Sequence, residues 1–569
     1  MEETTSSNPV GDSQAARPKG GETSTKIQRP PKKSLTFWGI VFSMQLISIL
    51  SALDTTVVST AMPSILKDVG KSEAWVWIAN AYFLTMTAFQ PFFGQAANVF
   101  GRRSMTLLAT LLFGVGSAIC GAAPNLGVLI AGRAIQGAGS GAISILIEIN
   151  IADLLPLRER PKYMGIVLIG YTVAAWLGPV IGGLFAEQVT WRWIFYLNLP
   201  ITGVALVCLW VFLRTNYRKD TVRNSIKRVD LGGNALLVAS VVSVLVALTW
   251  GGTKYSWSAY QTLVPLILGL IGIGAFICLE STTLIPEPTM PLRLFSNRTS
   301  LGAFGVASIH ALLTNFTVYF LPVYFQSVLA TGPVISGVNL LPLPIITMPF
   351  AILAGIGTTK FGRYRPFFFV GTALLTLSYG LLTRLDEHTT TAYWAGVEAI
   401  TAVGLGVLTT TTWPAVQAPL EEVDQAVSTA AWGFVRSFGY VWGVAIPGAI
   451  FNSRVNSLSS AISDPAVRAS LINGGAYELA ATGGGASTQD WGLELRAQIT
   501  TIYVKSLKLC WQVGIGFGLL GFLISFVLKD IPLRDELDTE YGLQGTPVTE
   551  ANQEQTVASS SEEKEFRMV

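Results

Sequence analysis

Long apolar stretches alternate with short polar stretches along most of this chain of 569 residues. A helix needs about 20 mostly apolar residues to cross a bilayer, and the sequence contains fourteen stretches of that kind. The predicted spans are 37–62, 74–97, 104–123, 127–152, 163–186, 194–213, 231–250, 262–280, 301–326, 335–356, 366–384, 391–413, 427–452 and 509–528. No long polar domain interrupts the series. The pattern therefore predicts an all-α integral membrane protein with fourteen transmembrane helices.

The ends and the middle of this series predict how the chain is divided. The tails are poor in apolar residues, so they cannot bury enough surface to fold on their own. The predicted segments are a disordered N-terminal tail (1–36), a six-helix bundle (37–213), a linker with two extra spans (214–290), a second six-helix bundle (291–528) and a disordered C-terminal tail (529–569). The second bundle contains a long loop at about 453–508. The spans are thus arranged as six plus two plus six.

Basic residues are unevenly divided between the two sides of the predicted bundle. Cytoplasmic loops of membrane proteins carry an excess of Lys and Arg. Here the segments on the side of the N-terminal tail, such as 214–230, hold most of the basic residues outside the spans. We therefore expect both termini to lie in the cytoplasm.

One short segment occurs twice. The sequence GQAANVFGRR begins at Gly94, and a related sequence, GIGTTKFGRY, begins at Gly355. Each copy follows the second span of one predicted six-helix bundle. Because many transporters are built from two structural repeats, we expect the two bundles to be related in structure.

Composition excludes several classes of protein. Hydrophobic residues make up 50% of the chain and charged residues 13%, whereas a typical soluble domain has about 25% charged residues. The net charge of +3 is too small to favour a polyanionic partner. A soluble multidomain enzyme, a disordered regulator and a nucleic-acid-binding protein are therefore excluded.

Cysteine and histidine do not indicate a metal site or a cofactor. Two histidines, His310 and His388, are too few for the cluster of a membrane-bound metal enzyme. The GKS sequence at 70–72 lacks the earlier glycine of a phosphate-binding loop. The four cysteines lie in four different apolar stretches, which indicates small hydrophobic residues and not a disulfide framework or a metal site; they are Cys120, Cys208, Cys278 and Cys510. We expect no metal, no cofactor and no ATP hydrolysis by this chain.

Two ionisable residues lie deep inside predicted spans. A charge inside the membrane is costly unless it is paired, so Asp54 and Arg133 are candidate functional residues. At 1.5 Å rise per residue, Asp54 lies roughly 12 Å and Arg133 roughly 9 Å from the outer ends of their spans. We therefore expect them to pair or to share a cavity. Such a pair suits proton exchange, and it equally suits a static ion pair between two helices.

Four motifs give the sequence a resemblance to a known family. They are LDTTVVSTAMPSI (53–65), GQAANVFGRR (94–103), GRAIQGAGSG (132–141) and AAWLGPVIGG (174–183), the last soon followed by WRWIFYLNLP (191–200). In this order and on fourteen spans, they resemble the major facilitator superfamily and specifically its fourteen-helix drug:proton antiporter family. The motifs lie mainly in the first 200 residues. In the C-terminal half, the resemblance rests on topology and on the repeat.

The resemblance implies roles for Arg133 and for the loop after the second span. Arg133 would take part in proton coupling together with Asp54, and the loop would latch the two bundles in one conformation. The residues of this gating loop are Gly94, Asn98, Gly101, Arg102 and Arg103. The family has an acid where this chain has Asn98, which can form a hydrogen bond but not a charge pair.

The gating loop also has a simple physical interpretation. Gly94 allows two helices to approach closely, and Gly101 supplies a tight turn. We expect Arg102 and Arg103 at the anionic cytoplasmic surface of the membrane. Anchoring at that surface is the alternative to gating.

The fifth span contains a proline among glycines. Because proline removes a backbone hydrogen bond, we expect this segment to interrupt the helix. The resemblance implies that the segment marks antiporters and limits leak, whereas ordinary packing of small residues would explain the glycines equally well. The residues are Gly178, Pro179, Gly182 and Gly183.

A third set of residues contains candidates for the wall of a substrate cavity. His310 and Arg436 are predicted near the midplane, where transporter binding sites lie, and aromatic side chains suit large, apolar ligands. A paired structural role, or a place in an aromatic belt, is the alternative for each. Glu148 and Glu398 also lie within spans, without an assigned role. The candidates are Gln136, Trp176, His310, Tyr319, Trp413 and Arg436.

These features predict a proton-coupled antiporter that exports a small amphipathic organic compound, such as a toxin, a secondary metabolite or a drug. The loop variant and the long tails resemble fungal pumps that export such compounds. The expected location is the plasma membrane, with protons, substrate and lipid as partners, no nucleic acid, and a monomeric state. One alternative is a carrier of basic amino acids in the vacuolar membrane, or a carrier of siderophores. The other alternative is a non-transporting membrane sensor. No nucleophile–base pair indicates an enzyme.

Overall fold

The computed structural model describes residues 34–69, 77–214, 228–251, 255–282, 288–472, 474–476, 479 and 492–535. Most of the predicted N-terminal and C-terminal tails lies outside these residues, as does part of the 453–508 loop. The described residues form helices and connecting turns, with no strand among them beyond an isolated bridge between Gly251 and Tyr255.

We refer to helices α1 to α8, which occupy the predicted first bundle, as the first bundle. Asn125 caps α5 by accepting a hydrogen bond from the backbone N–H of Val128 at 3.0 Å. Phe89 separates α2 from α3, and Pro91 lies in the first turn of α3, where its missing N–H removes no helical hydrogen bond. The helices are α1 (Leu35–Val69), α2 (Trp77–Ala88), α3 (Gln90–Phe100), α4 (Arg102–Gly121), α5 (Leu126–Leu154), α6 (Arg160–Gln188), α7 (Trp193–Tyr196) and α8 (Asn198–Phe212).

Two helices follow at the positions of the extra spans. They are α9 (Leu231–Trp250) and α10 (Tyr260–Glu280), and they pack against each other. Asp230 caps α9 by accepting a hydrogen bond from the backbone N–H of Gly233 at 2.8 Å.

We refer to helices α11 to α19, which occupy the predicted second bundle, as the second bundle. Short 3₁₀ helices at Glu422–Asp424 and Ser459–Ala461 flank α17. The helices are α11 (Arg293–Ser296), α12 (Arg298–Ser327), α13 (Pro333–Asn339), α14 (Pro342–Phe361), α15 (Arg365–Leu382), α16 (Thr391–Gln417), α17 (Gln425–Leu458), α18 (Pro465–Leu471) and α19 (Leu493–Val527).

Twelve helical segments of the described chain are long and apolar enough to cross a membrane. The predicted spans 74–97 and 163–186 are not among the twelve, although α2, α3 and α6 occupy those positions. The prediction of an all-helical, multi-pass membrane protein is therefore confirmed. The count of fourteen, the six-plus-two-plus-six division and the orientation of the termini stay predictions.

We name the two ends of the bundle by residues that lie there. The Gly101 end contains Gly101 and Gly362, which have positive φ values of 87° and 66° and make the tight turns after α3 and α14. The opposite, Asp68 end contains an exposed ion pair of Asp68 and Arg192 at 2.5 Å. The hydrogen bond from Arg192 lowers the pKa of Asp68.

The two bundles meet at the Gly101 end. A Cβ atom on Gly94 would overlap the Cβ of Ala430, so α3 and α17 are in very close contact. Arg160 at the start of α6 donates a hydrogen bond to the Gln417 side chain at the end of α16, at 2.7 Å. Gly94 therefore permits a helix contact between the bundles.

The chain after α19 runs across the Gly101 end. The backbone N–H of Leu533 donates to the carbonyl of Gly362 at 3.1 Å, and the backbone N–H of Arg158 donates to the carbonyl of Arg534 at 3.2 Å. The Arg158 side chain also pairs with Asp535 at 2.7 Å. Because Arg158 belongs to the first bundle and Gly362 to the second, this segment connects the two.

Candidate functional site

A buried ion pair joins α1 to α5. Arg133 Nη1 lies 2.5 Å from Asp54 Oδ2, and the two side chains are 2% and 0% exposed. The two residues expected at similar depth are thus in direct contact. Because solvent does not reach the pair, removing one charge would leave the other buried without compensation.

Three polar side chains complete the surroundings of Asp54. Gln136 accepts a hydrogen bond from Arg133 at 2.8 Å and donates to Asp54 Oδ1 at 2.7 Å. Gln136 also donates to Ser117 of α4 at 2.7 Å. Asn198, at the start of α8, donates to Asp54 at 3.3 Å. Such donors stabilise a carboxylate anion, so this arrangement matches an ionised Asp54.

Helix α2 holds the other side of Arg133. Arg133 Nε donates to the carbonyl oxygen of Ile78 at 3.0 Å. The guanidinium carbon lies 4.1 Å from the centroid of the Tyr82 ring, and the Tyr82 hydroxyl donates to Ser140 at 2.6 Å. A planar cation with several fixed donors is needed for this set of contacts.

Two glycines of the GRAIQGAGSG motif bring α2 this close to α5. A Cβ atom on Gly137 would overlap the carbonyl oxygen of Tyr82, and one on Gly141 would overlap the carbonyl oxygen of Met86. The motif therefore supplies the charged group, Arg133, and also the space that lets α2 pack against it.

The gating loop has one arginine in a place that we did not expect. Arg102 is 3% exposed, and its Nε lies 2.8 Å from Asp153 Oδ2. Its Nη1 donates to the carbonyl oxygen of Ala97 at 3.0 Å. We expected Arg102 at the membrane surface, but it lies inside the protein because Asp153, near the end of α5, neutralises its charge.

The other arginine of the loop lies nearer the surface. Arg103 is partly exposed, and it donates to the carbonyl oxygen of Trp210 at 2.5 Å. Its guanidinium carbon lies 5.9 Å from the centroid of the Trp210 ring. Asn98 is half-buried on α3.

Helix α6 is continuous from Arg160 to Gln188. The expected interruption is therefore wrong, because one proline removes only one hydrogen bond of a long helix. A Cβ atom on Gly178 would overlap the Thr56 side chain of α1, so this glycine permits the contact of α6 with α1 near Asp54. The segment that continues as helix comprises Gly178, Pro179, Gly182 and Gly183.

A second ion pair connects the two bundles. Arg436 Nη2 of α17 lies 3.3 Å from Glu148 Oε1 of α5, and the side chains are 22% and 4% exposed. The Arg436 guanidinium carbon also lies 4.1 Å from the centroid of the Trp432 ring. Arg436 Nε and Glu148 Oε2 are buried without a hydrogen bond in the described residues. Both residues therefore retain capacity to bind a further polar group.

The other cavity candidates differ in exposure. Trp176 and Tyr319 are each 39% exposed. Trp413 and His310 are buried, and each donates a hydrogen bond from a ring nitrogen to a residue of the second bundle. Gln136 is committed to the Asp54 network. In this conformation, Trp176 and Tyr319 have accessible surface, and Arg436 is partly accessible.

Trp176 lies on the side of α6 that is directed at the second bundle. Gly165 lies eleven residues earlier on α6. A Cβ atom built on Gly165 would lie 3.5 Å from the Ile352 side chain of α14. Eleven residues make about three helical turns, so Trp176 shares that face. It lies nearer the Asp68 end, where its surface is accessible.

Sequence reasoning missed Ser117, Asn198 and Asp153. Ser117 and Asn198 are uncharged, and nothing in the sequence indicates that α4 and α8 bring them to Asp54. Asn198 does belong to the WRWIFYLNLP segment, whose resemblance to the family could have marked it as a candidate. Asp153 directly follows the predicted fourth span, on the side of the basic gating loop, which was also a signal. Within the described residues, no cluster of three or more His, Cys, Asp or Glu could hold a metal.

The family model of the Major Facilitator Superfamily matches residues 44–447, which is more than half of the chain. The chain belongs to the major facilitator superfamily. This MFS protein is therefore a multi-pass membrane transporter and not an enzyme.

Relatives and a solved structure resemble this MFS transporter over most of its length. The Acurin A biosynthesis cluster MFS-type transporter of Aspergillus aculeatus is 48% identical over 518 residues, which cover 90% of this chain and 93% of that protein. The MFS-type efflux pump LUC4 of Fusarium sp is 46% identical over 515 residues, covering 90% and 91%. The crystal structure of the human organic anion transporter MFSD10 (TETRAN) has a TM-score of 0.54 at 12% identity, covering 87% of this chain and 100% of that one. The last likeness concerns the fold alone.

Proposed function

We propose that this MFS transporter is a proton-coupled antiporter that exports a small amphipathic organic compound, such as a toxin, a secondary metabolite or a drug. The names of its relatives, a transporter of a biosynthesis cluster and an efflux pump, support export of a secondary metabolite. We place it in the plasma membrane as a monomer with fourteen spans in a six-plus-two-plus-six arrangement. Both tails would lie in the cytoplasm.

The observation that carries the proposal is the buried pair of Asp54 and Arg133. A proton that binds Asp54 cancels the charge that compensates Arg133. Arg133 is then a buried cation without a counter-ion, which is costly in a membrane protein. A conformation that offers Arg133 water or another partner becomes favourable. Protonation of Asp54 thereby supplies a driving force for movement of the two bundles.

The contacts at the Gly101 end support a gating role for that end. If both tails are cytoplasmic, the Gly101 end faces the cytoplasm, and this conformation is closed there. Opening toward the cytoplasm would separate Arg160 from Gln417 and Arg158 from Asp535. Such rigid-body rocking of two bundles about a central site is a common mode of alternating access.

The proposed substrate surface combines aromatic and charged groups. Trp176 and Tyr319 offer accessible rings, which suit a large apolar skeleton. Arg436 and Glu148 offer a cation and an anion between the bundles. A compound with a polar group on an apolar body would use both features.

Transport by the purified full-length protein in liposomes tests the proposal. A proton gradient is imposed without ATP, and a panel of amphipathic toxins, dyes, siderophores and basic amino acids is offered. We expect movement of a toxin or a dye against the proton flux, and loss of this movement in Asp54→Asn at equal reconstitution. The matched control is Asp68→Asn, which removes an exposed carboxylate from the same helix and should retain transport.

The other outcomes separate this proposal from its alternatives. Movement only of basic amino acids or siderophores would contradict it in favour of a carrier of those compounds. No gradient-driven movement of any compound would contradict it in favour of a sensor. Normal transport by Asp54→Asn would show that the buried pair only holds α1 and α5 together.

A further inference from the structure

A buried carboxyl group in the second bundle has no partner. Glu398 of α16 is 1% exposed, and neither of its carboxyl oxygens forms a hydrogen bond within the described part of the chain. An ionised carboxylate in such a place is very costly. Glu398 therefore holds a proton in this conformation. Because most buried polar groups are hydrogen-bonded, this group calls for a functional explanation.

Glu398 occupies the place in the second bundle that Arg133 occupies in the first. Each residue is the eighth of its helix, since α5 begins at Leu126 and α16 begins at Thr391. The helices are the fourth spans of the two predicted bundles, which the repeated gating-loop sequence relates to each other. The second bundle thus has an ionisable group at the level where the first bundle has its ion pair.

Helix α12 brings a partly exposed surface close to the level of Glu398. His310 of α12 donates to the carbonyl oxygen of Leu405 on α16 at 3.1 Å. Two turns further along both antiparallel helices, about 10 Å, Thr317 of α12 comes level with Glu398. Tyr319, two residues beyond Thr317, is 39% exposed. An accessible part of α12 therefore lies close to the level of Glu398.

No charged side chain neutralises Glu398 in this conformation. Helices α6, α12, α14, α15 and α17 pack against α16, and none of their ionisable side chains forms an ion pair or a hydrogen bond with Glu398 among the described residues. Those side chains are Arg160, Lys162, Tyr163 and Tyr171 on α6; Arg298, His310, Tyr319 and Tyr324 on α12; Lys360 on α14; Arg365 and Tyr379 on α15; and Arg436, Tyr440 and Arg454 on α17.

We propose that Glu398 is a second proton-binding site of the transport cycle, and this inference rests on the proposed antiport function. In the described conformation Glu398 carries its proton, whereas Asp54 is paired with Arg133. When the bundles rock, Glu398 meets water on the other side of the membrane and releases the proton. The bundles return with the substrate bound and without that proton, and Glu398 takes up its next proton on the side where the substrate is released. Each cycle then moves two protons, one through each bundle, for each substrate exported.

The number of protons per substrate can be measured from the reversal point, which is the substrate concentration ratio across the membrane at which net flux stops. Full-length protein in liposomes is held at zero membrane potential, and a dye that the wild type transports is used as the substrate. At a gradient of about one pH unit, each coupled proton balances about a tenfold substrate ratio. We expect net flux to stop near a 100-fold ratio for the wild type and near a tenfold ratio for Glu398→Gln, since roughly 1.4 kcal/mol corresponds to each factor of ten. The matched control Glu387→Gln, in the exposed loop before α16, should behave as the wild type.

An unchanged reversal point in Glu398→Gln would overturn the inference and leave the antiport proposal intact. Absence of gradient-driven transport in the wild type would instead refute the proposed function. If Glu398→Gln does not fold, infrared spectra of the wild type and Glu398→Asp provide the test. We expect a carbonyl band of a protonated carboxyl group at neutral pH that changes in Glu398→Asp, and a spectrum without such a change would overturn the inference.

Discussion

Arg133 makes more contacts than a simple counter-ion needs. It donates to Asp54, to Gln136 and to the carbonyl of Ile78, and it stacks on Tyr82. The guanidinium is therefore fixed in one orientation while Asp54 is ionised. Protonation of Asp54 removes the negative charge from one of these partners and leaves the other three unchanged. The change at this residue is a discrete loss of its counter-ion, which suits a switch between two conformations.

Variants of the pair should show strong energetic coupling. Asp54→Asn leaves Arg133 buried without a counter-ion, and Arg133→Gln leaves Asp54 without one. We expect each single variant to lose about 3–5 kcal/mol of stability. The double variant should recover most of that loss, because no charge remains buried. Unfolding of the purified protein in detergent measures these differences.

The controls for this experiment lie in the same protein. Asp68→Asn removes an exposed partner of Arg192, and surface pairs contribute only about 1 kcal/mol or less. If the losses of the two single variants simply add in the double variant, the two residues are energetically independent. That result would contradict a coupled pair. All three variants of the pair should lack proton-driven transport.

At the scale of helices, α3 and α17 are in very close contact across the two bundles. The contact depends on the absence of a side chain at Gly94, whose ideal Cβ position overlaps the Cβ of Ala430. Any added atom must push the helices apart, because protein interiors have little free space. The close fit at Gly94 is therefore part of the closed state of the Gly101 end.

The second prediction exchanges side-chain volume between Gly94 of α3 and Ala430 of α17. Gly94→Ala should slow or block transport, because it disfavours closure of the Gly101 end. Adding Ala430→Gly should restore much of the activity, because it returns the missing space. Gly448→Ala, also on α17, is the control, since its ideal Cβ position has nothing within 4 Å. Failure of Ala430→Gly to rescue Gly94→Ala in the liposome assay would contradict this role of the contact.

Much of the helix pattern could be predicted from sequence, because an apolar stretch of about 20 residues has the length that a helix needs to cross the membrane. Details inside the helices were harder to predict. The break at Phe89 follows no clear signal, although Pro91 stands two residues later. At Pro179 we predicted an interruption of the helix, but α6 continues through it. A proline indicates where a helix is weakened, and packing against neighbouring helices determines whether it ends there.

The candidate site could be predicted only in part. Asp54 and Arg133 are identifiable because a charge inside a span is rare and expensive. Their partner Asn198 comes from a helix far along the chain, so only the fold brings it to Asp54. Asp153 likewise meets Arg102 across 51 positions of sequence, and it changes the place of Arg102 from the surface to the interior.

At the scale of the whole molecule, two ion pairs among the described residues help to hold the bundles in this conformation. The pair of Glu148 and Arg436 lies between α5 and α17, and the pair of Arg158 and Asp535 ties the C-terminal segment to the first bundle. The first pair is mostly buried and the second is exposed. The buried pair should therefore contribute more to the balance between conformations.

Neutralising the buried pair should shift that balance. We expect the double variant Glu148→Gln, Arg436→Gln to populate a conformation that is open at the Gly101 end and closed at the Asp68 end. The wild type should populate that conformation less. Spin labels at Val189 and Glu387, exposed positions of the two bundles at the Asp68 end, should then show a larger fraction of short distances. Labels at Val189 and Ala122, both in the first bundle, should show no change. An unchanged distribution for the first label pair would exclude a latch role.

The most direct test of antiport is to let the substrate drive the proton. Liposomes that contain the purified protein and a pH-sensitive dye are prepared without a proton gradient, and a transported compound is added on one side. An antiporter must then move protons toward that side, and Asp54→Asn must abolish the signal while Asp68→Asn keeps it. Transport of the compound with no accompanying pH change would contradict proton-coupled antiport.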